Sequence, residues 1–311
     1  LLSVAGLPTR YPTDIPENYF SPVEWWQCDE IGCRYLYEEI ENACERKELS
    51  GRRCMINPQG FHDTDLFEDS DDLQNTSLRV LMLGDSFTFG ATAEIGKSWV
   101  ETVEAQLPDA LVWNTGIGGS GTNQAVEWLK LYAPIQDPDA VVLGFFMNDF
   151  EDNMFPLDSY YFARTADGYI YPIRQYRADD AGNVTKIDNQ TDLYYRFNQV
   201  EPPPNEFDRW LGHTRLGSLL LNTAGTVQNM LAKVDGQRRQ AQVDATRVYL
   251  KALKDYTDEH EIPFFVLLIP EREDIPASDE MFNSAIQLFE ELDIPYLNPR
   301  ASLTVEDYAP E

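Results

Sequence analysis

From residue 78 onward, short apolar runs alternate with stretches of helical spacing, and few folds accept that pattern. A run of consecutive apolar residues leaves no polar face, so a strand built from it must be covered on both sides, as in a parallel sheet with crossover helices. "RVLMLG" (79–84) is the first predicted strand, "ALVWNTG" the second, "AVVLGFFMND" (140–149) the third, "PFFVLLIP" (263–270) the fourth and "PYLNP" a short fifth. Between them, "SWVETVEAQLP", "TNQAVEWLKLYAPI", "RVYLKALKDYTDEH" and "DEMFNSAIQLFEEL" read as helices. The expected fold class is α/β, a three-layer doubly wound parallel sheet over 78–311. Residues 1–77, rich in Pro, Asp and aromatics, are expected to form an N-terminal disulfide-stapled cap, and about 150–240 an insertion over one face of the sheet.

In such sheets ligands bind outside the carboxyl ends of the strands, so the residues just past each strand matter most. These are "GDSFTFG", "NTGIGGSG" and "MND", which bring Ser86, the glycine run from Gly116 and Asn148 to one edge. The second loop contains a literal G-x-G-x-x-G at Gly116, Gly118 and Gly121. A dinucleotide fingerprint, however, follows the first strand and has an acid about 20 residues on, at the end of the next strand. Here the glycines follow the second strand, and the first acid at a strand end is Asp149. No nucleotide cofactor is therefore expected.

Acyl transfer fits the three loops better. It needs a nucleophile and donors aimed at the developing oxyanion. Ser86 can attack a carbonyl, while its own N–H, a glycine N–H from the second loop and the Asn148 side-chain amide converge on one oxygen. Asp85 reads as a turn former rather than a catalytic group, and Asn148 and Asp149 would alone read as loop caps.

"GDSFTFG", "NTGIGGSG" and "FFMND", in that order and at successive strand ends, resemble the first three blocks of the SGNH (GDSL-like) hydrolase family. The likeness runs from about Arg79 to Pro299, interrupted by the insertion, and leaves the cap unexplained. It implies Ser86 as nucleophile, Gly119 as backbone oxyanion donor with Gly118 the alternative, and Asn148 as side-chain donor. It also implies small acyl esters as substrates, with O-acetyl groups on cell-envelope polysaccharide as one class.

The family pattern closes with an Asp shortly before a His that activate the serine, and "SLTVEDYAPE" contains no such pair. His62, His213 and His260 all read as structural: His62 sits in the cap, His213 in the insertion, and His260 closes a helix at the opposite edge of the sheet. The expectation is that the natural polypeptide supplies Asp and His beyond Glu311. Without them, the alternative is a catalytically inactive binding or assembly module at the cell surface.

Charge and cysteine usage narrow the setting. Against 24 Lys and Arg stand 53 Asp and Glu, which repels nucleic acid and anionic lipid. No D-x-D-x-D-G calcium loop is present. Cys28, Cys33, Cys44 and Cys54 cluster in one stretch and suggest two disulfides in an oxidising compartment; their spacing fits zinc poorly. If "CRYLYEEIENACER" is helical throughout, Cys33 and Cys44 lie about 16 Å apart, too far for a bridge, and two connectivities survive. Sequons at Asn75, Asn183 and Asn189 suit an extracytoplasmic chain. "LLSVAGLP" is read either as the tail of a membrane anchor or signal segment upstream of Leu1, or as an ordinary apolar strand.

Overall fold

The computed structural model describes residues 18–63, 76–91, 93, 96–107, 109–179, 181–198, 236–270 and 280–303. Two compact units divide the chain, one of residues 1–23 and 161–240, the other of 24–160 and 241–311. Both are discontinuous in the chain.

The first unit contains β1 (Phe20–Pro22), whose register against β7 (Tyr160–Thr165) is Phe20 opposite Thr165. β8 (Ile170–Arg174) completes an antiparallel sheet of three strands, and β9 (Tyr176–Ala178) pairs with β10 (Val184–Lys186). Helix α6 (Gln190–Phe197) adds Leu193 to a core of Phe20, Ala163, Ile173 and Ile187. Its N-cap is Asn189, whose side-chain oxygen accepts from Asp192 N–H at 2.8 Å. This sequon asparagine is thus engaged in starting a helix.

The second unit opens with a hairpin of β2 (Trp26–Asp29) and β3 (Gly32–Tyr35), followed by α1 (Tyr37–Glu45). Cys28 and Cys33 face each other in the hairpin and are bonded; Cys44, near the end of α1, is bonded to Cys54. The helix therefore starts four residues after Cys33 rather than at it, because the Cys33 segment is taken up by strand pairing. The pairing is one of the two connectivities left open by the sequence.

The main sheet comprises β4 (Leu78–Gly84), β5 (Ala110–Asn114), β6 (Ala140–Phe145), β11 (Phe264–Leu268) and β12 (Tyr296–Leu297), all parallel. Their order across the sheet is β12-β11-β6-β4-β5. It is flanked by α2 (Ser86–Phe89), α3 (Trp99–Gln106), α4 (Thr122–Gln136), α5 (Asp149–Asp152), α7 (Gly236–Glu259) and α8 (Glu280–Glu291). The doubly wound α/β fold expected from the sequence is the one observed. Leu81 and Leu83 on one face of β4 are buried, as are Val80 and Met82 on the other. Burial on both faces is what its uninterrupted apolar run requires. On one face Val100 of α3 closes the core against Val80, Met82 and Val112. Ser98 and Glu101 start α3 with a reciprocal capping box, and Asp137, in the left-handed region, ends α4 just before Pro138.

The hairpin continues its ladder onto a side chain. Gln124 on α4 accepts from Cys33 N–H at 2.9 Å and donates to Cys33 O at 2.8 Å, in buried surroundings. Gln124→Ala leaves both backbone groups without these partners. It should cost about 2 to 6 kcal/mol, at about 1 to 3 kcal/mol for each of the two buried groups left unsatisfied. A urea melt giving a loss under about 1 kcal/mol would mean that other donors and acceptors replace the amide.

Candidate active site

Strand order puts β4 between β5 and β6, so the chain leaves β5 and β6 on opposite sides of β4 and a crevice opens beyond their carboxyl ends. Three loops meet there. Ile117 N–H donates to Gly84 O at 3.1 Å and the Ser120 hydroxyl to the same oxygen at 3.3 Å, tying the glycine loop to the end of β4. Phe87, one residue past Ser86, stacks on Phe146 with ring centroids 3.8 Å apart, which ties the β4 turn to the β6 turn.

Ser86 is the first residue of α2, and Asp85 caps that helix by accepting from Phe87 N–H at 2.9 Å. The turn-former reading of Asp85 is what the structure shows. Gly84 makes the turn possible. Its φ is +150°, and a Cβ there would lie 2.1 Å from Thr88 Oγ1 and 2.8 Å from Gly144 O. A Cβ on Gly118 would lie 3.8 Å from that of Ser86, whereas one on Gly119 would meet the Tyr160 ring at 3.3 Å. Ser86, Gly118, Gly119 and Asn148 are half-buried, while Asp85, Ser120, Thr122 and Asp149 behind them are buried. The four residues expected to act on a substrate thus keep some exposure, and a buried polar layer lies beside them.

That layer was not readable in the sequence. Asn153 Oδ1 accepts from Asn123 N–H at 2.9 Å and satisfies the first turn of α4, while its Nδ2 donates to Thr246 Oγ1 at 3.0 Å. Asn148 Nδ2 donates to Asp152 Oδ2 at 3.0 Å. Burial pushes Asp85 up to about 6, against the pull of Phe87 N–H and the nearby Asn148 amide. Asp149 is raised well above the usual carboxylate range, first by burial and then by the charge on Asp85. The signal for this layer was no more than a polar residue following each buried strand.

The histidines take different places. His62 is buried with its ring against Phe89, 5.1 Å between centroids. His260 is exposed at the end of α7, with Nδ1 2.8 Å from Tyr256 O, at the amino end of β11. His213 lies outside the described residues, as does most of "SLTVEDYAPE". Among the described residues the Ser86 hydroxyl has no side-chain hydrogen-bond partner, and no group of three or more His, Cys, Asp and Glu is arranged to hold a metal ion.

No protein-family model matches the chain, and no curated protein matches it. Solved structures do. The chain is similar to AlinE4, an esterase of the SGNH-hydrolase family, at 12% identity over 71% of this chain and 75% of that one, with a TM-score of 0.36. Many of the similar structures are esterases and acylhydrolases of the SGNH or GDSL family. The acetyl xylan esterase AlAXEase is similar at 11% identity over 72% and 79% of the two chains, TM-score 0.37. The lipase/acylhydrolase from Enterococcus faecalis is similar at 14% over 73% and 78%, TM-score 0.34. Likeness at this level assigns no activity to the present chain, whose crevice must be read from its own residues.

Proposed function

We propose that this protein is a serine ester hydrolase of SGNH type that acts through an acyl-enzyme on small acyl esters, O-acetyl groups on carbohydrate among them. The single observation behind this reading is the convergence of the Ser86 turn, the glycine loop and the Asn148 turn at the carboxyl ends of three adjacent strands. In this reading the Ser86 oxygen attacks the ester carbonyl, the alcohol leaves, and water then releases the acid. Ser86 N–H, Gly119 N–H and the Asn148 amide hold the oxyanion, with Gly118 as the alternative backbone donor because it lies beside Ser86. The ring of Phe87, 43% exposed, provides an apolar wall next to the nucleophile. Two disulfides favour an oxidising, extracytoplasmic setting. No described helix is long and apolar enough to cross a membrane.

The second reading, a binding or assembly module, draws on the lack of a side-chain partner for the Ser86 hydroxyl among the described residues. A fluorophosphonate separates the two. The natural protein should gain one phosphonyl group, located by peptide mass spectrometry on Ser86. Complete absence of label at Ser86 would favour the binding module.

A further inference from the structure

We propose that Asp85 and Asp149 hold one proton between them, and that this one-proton pair is the positioning device that fixes the Ser86 turn and the Asn148 amide at the sheet edge. The positioning half rests on the acyl-transfer reading above; the shared proton does not.

Gly84 and Gly144 are register neighbours in β4 and β6. Asp85 follows the first directly, and Asp149 begins the helix after the second strand. Asp85 is 0% and Asp149 1% exposed. Each carboxyl has one oxygen engaged and one not. Asp85 Oδ1 accepts from Phe87 N–H, and Asp149 Oδ2 accepts from the Thr122 hydroxyl at 3.3 Å. Among the described residues Asp85 Oδ2 and Asp149 Oδ1 have no hydrogen-bond partner, and neither has Asn148 Oδ1. All three are acceptors. A carboxyl proton is a donor that these otherwise unpartnered oxygens can take.

Charge leads to the same conclusion. The groups acting favourably on the pair are the N–H groups of Phe87, Thr88 and Phe146, the Asn148 amide and the Thr122 hydroxyl, none of them charged. Asp152, itself buried, adds another carboxyl on the far side of the Asn148 amide. Two buried carboxylates whose partners among the described residues are all neutral donors do not both ionise readily. Burial and the Asp85 charge both favour the proton on Asp149. Asp85 then keeps its charge, which strengthens its hold on Phe87 N–H at the start of α2.

Asp149→Asn tests this, since the amide keeps the shape, removes the charge and brings its own N–H. A carboxyl with a raised folded-state pKa contributes stability that is fully present below its unfolded value, about 4, and lost as pH rises through the folded one. Thermal midpoints of parent and variant are compared between about pH 4.5 and about pH 8.5. The variant should gain on the parent as pH rises, by about 3 to 6 °C at the upper end. Parallel curves, or a variant falling further behind with rising pH, would overturn the shared proton. Asp85→Asn is run beside it and should gain in the same direction. Failure of both to fold also overturns the proposal, because a pair that shares a proton tolerates one neutral member.

The positioning role is read at Ser86. Fluorophosphonate labelling should be at least about tenfold faster in Asp149→Asn than in Asp149→Ala. Equal rates remove that role. If Ser86 labels in no protein, the parent included, the acyl-transfer reading fails and the positioning role with it, while the pH comparison still decides the shared proton.

Discussion

Ser86→Ala is expected to abolish turnover of an aryl acetate by the natural protein while leaving its thermal midpoint nearly unchanged. Loss of a nucleophile from a serine hydrolase lowers kcat by roughly 10⁴- to 10⁶-fold. The fold should not notice, because the Ser86 side chain is half-buried and its backbone, not its hydroxyl, takes part in the turn: Gly90 and Ala91 N–H both donate to Ser86 O, at 3.0 and 3.1 Å. Initial rates at saturating ester, with circular dichroism of both proteins, decide it. Equal rates for variant and parent would remove Ser86 from the chemistry and with it the hydrolase reading.

Gly84→Ala is expected to act the opposite way, on the fold first. The added Cβ would meet Thr88 Oγ1 at 2.1 Å and the Gly144 carbonyl oxygen at 2.8 Å, and φ at this position is +150°. Backbone strain of about 1 to 3 kcal/mol adds to overpacking of a similar size, so the loss should be about 2 to 6 kcal/mol. Urea denaturation measures it. The clash is with the neighbouring strand and with α2, so any variant that does fold should carry a displaced Ser86 turn and react more slowly. A variant as stable as the parent would mean that β4 and β6 can separate at this end without penalty.

The placing of the three candidate-site loops at one edge could be read before the fold was seen, because uninterrupted apolar runs mark buried parallel strands and parallel strands send their carboxyl ends to one edge. Ser86, the glycine loop and Asn148 followed from that rule alone. The support beneath them did not. Whether Asp149 points into the protein depends on α5, four residues long, and nothing in "FFMND" distinguishes a buried carboxylate from a solvated one. Gln124 shows the same limit: it lies on an ordinary helical stretch, yet completes a hairpin formed by residues far back in the chain. The irregular look of the sequence around Phe20 has a similar cause. Phe20–Pro22 belongs with a strand more than a hundred positions away, and short strands that pair at such distance leave no local period.

The interleaving of the two units sets an order of assembly. Neither unit is finished by the chain that precedes the other: β1 waits for β7, and one edge of β6 stays open until β11 has been made. A growing or translocating chain therefore carries the apolar, unpaired edge of Ala140–Phe145 through the whole synthesis of residues 146–263, a period in which edge-to-edge association competes with folding. The two disulfides span only 5 and 10 positions and need no distant partner, so they can close while the rest is still incomplete. Covalent closure of the first segment and late completion of the sheet are thus separate events, and an oxidising environment early in the chain's life serves only the first.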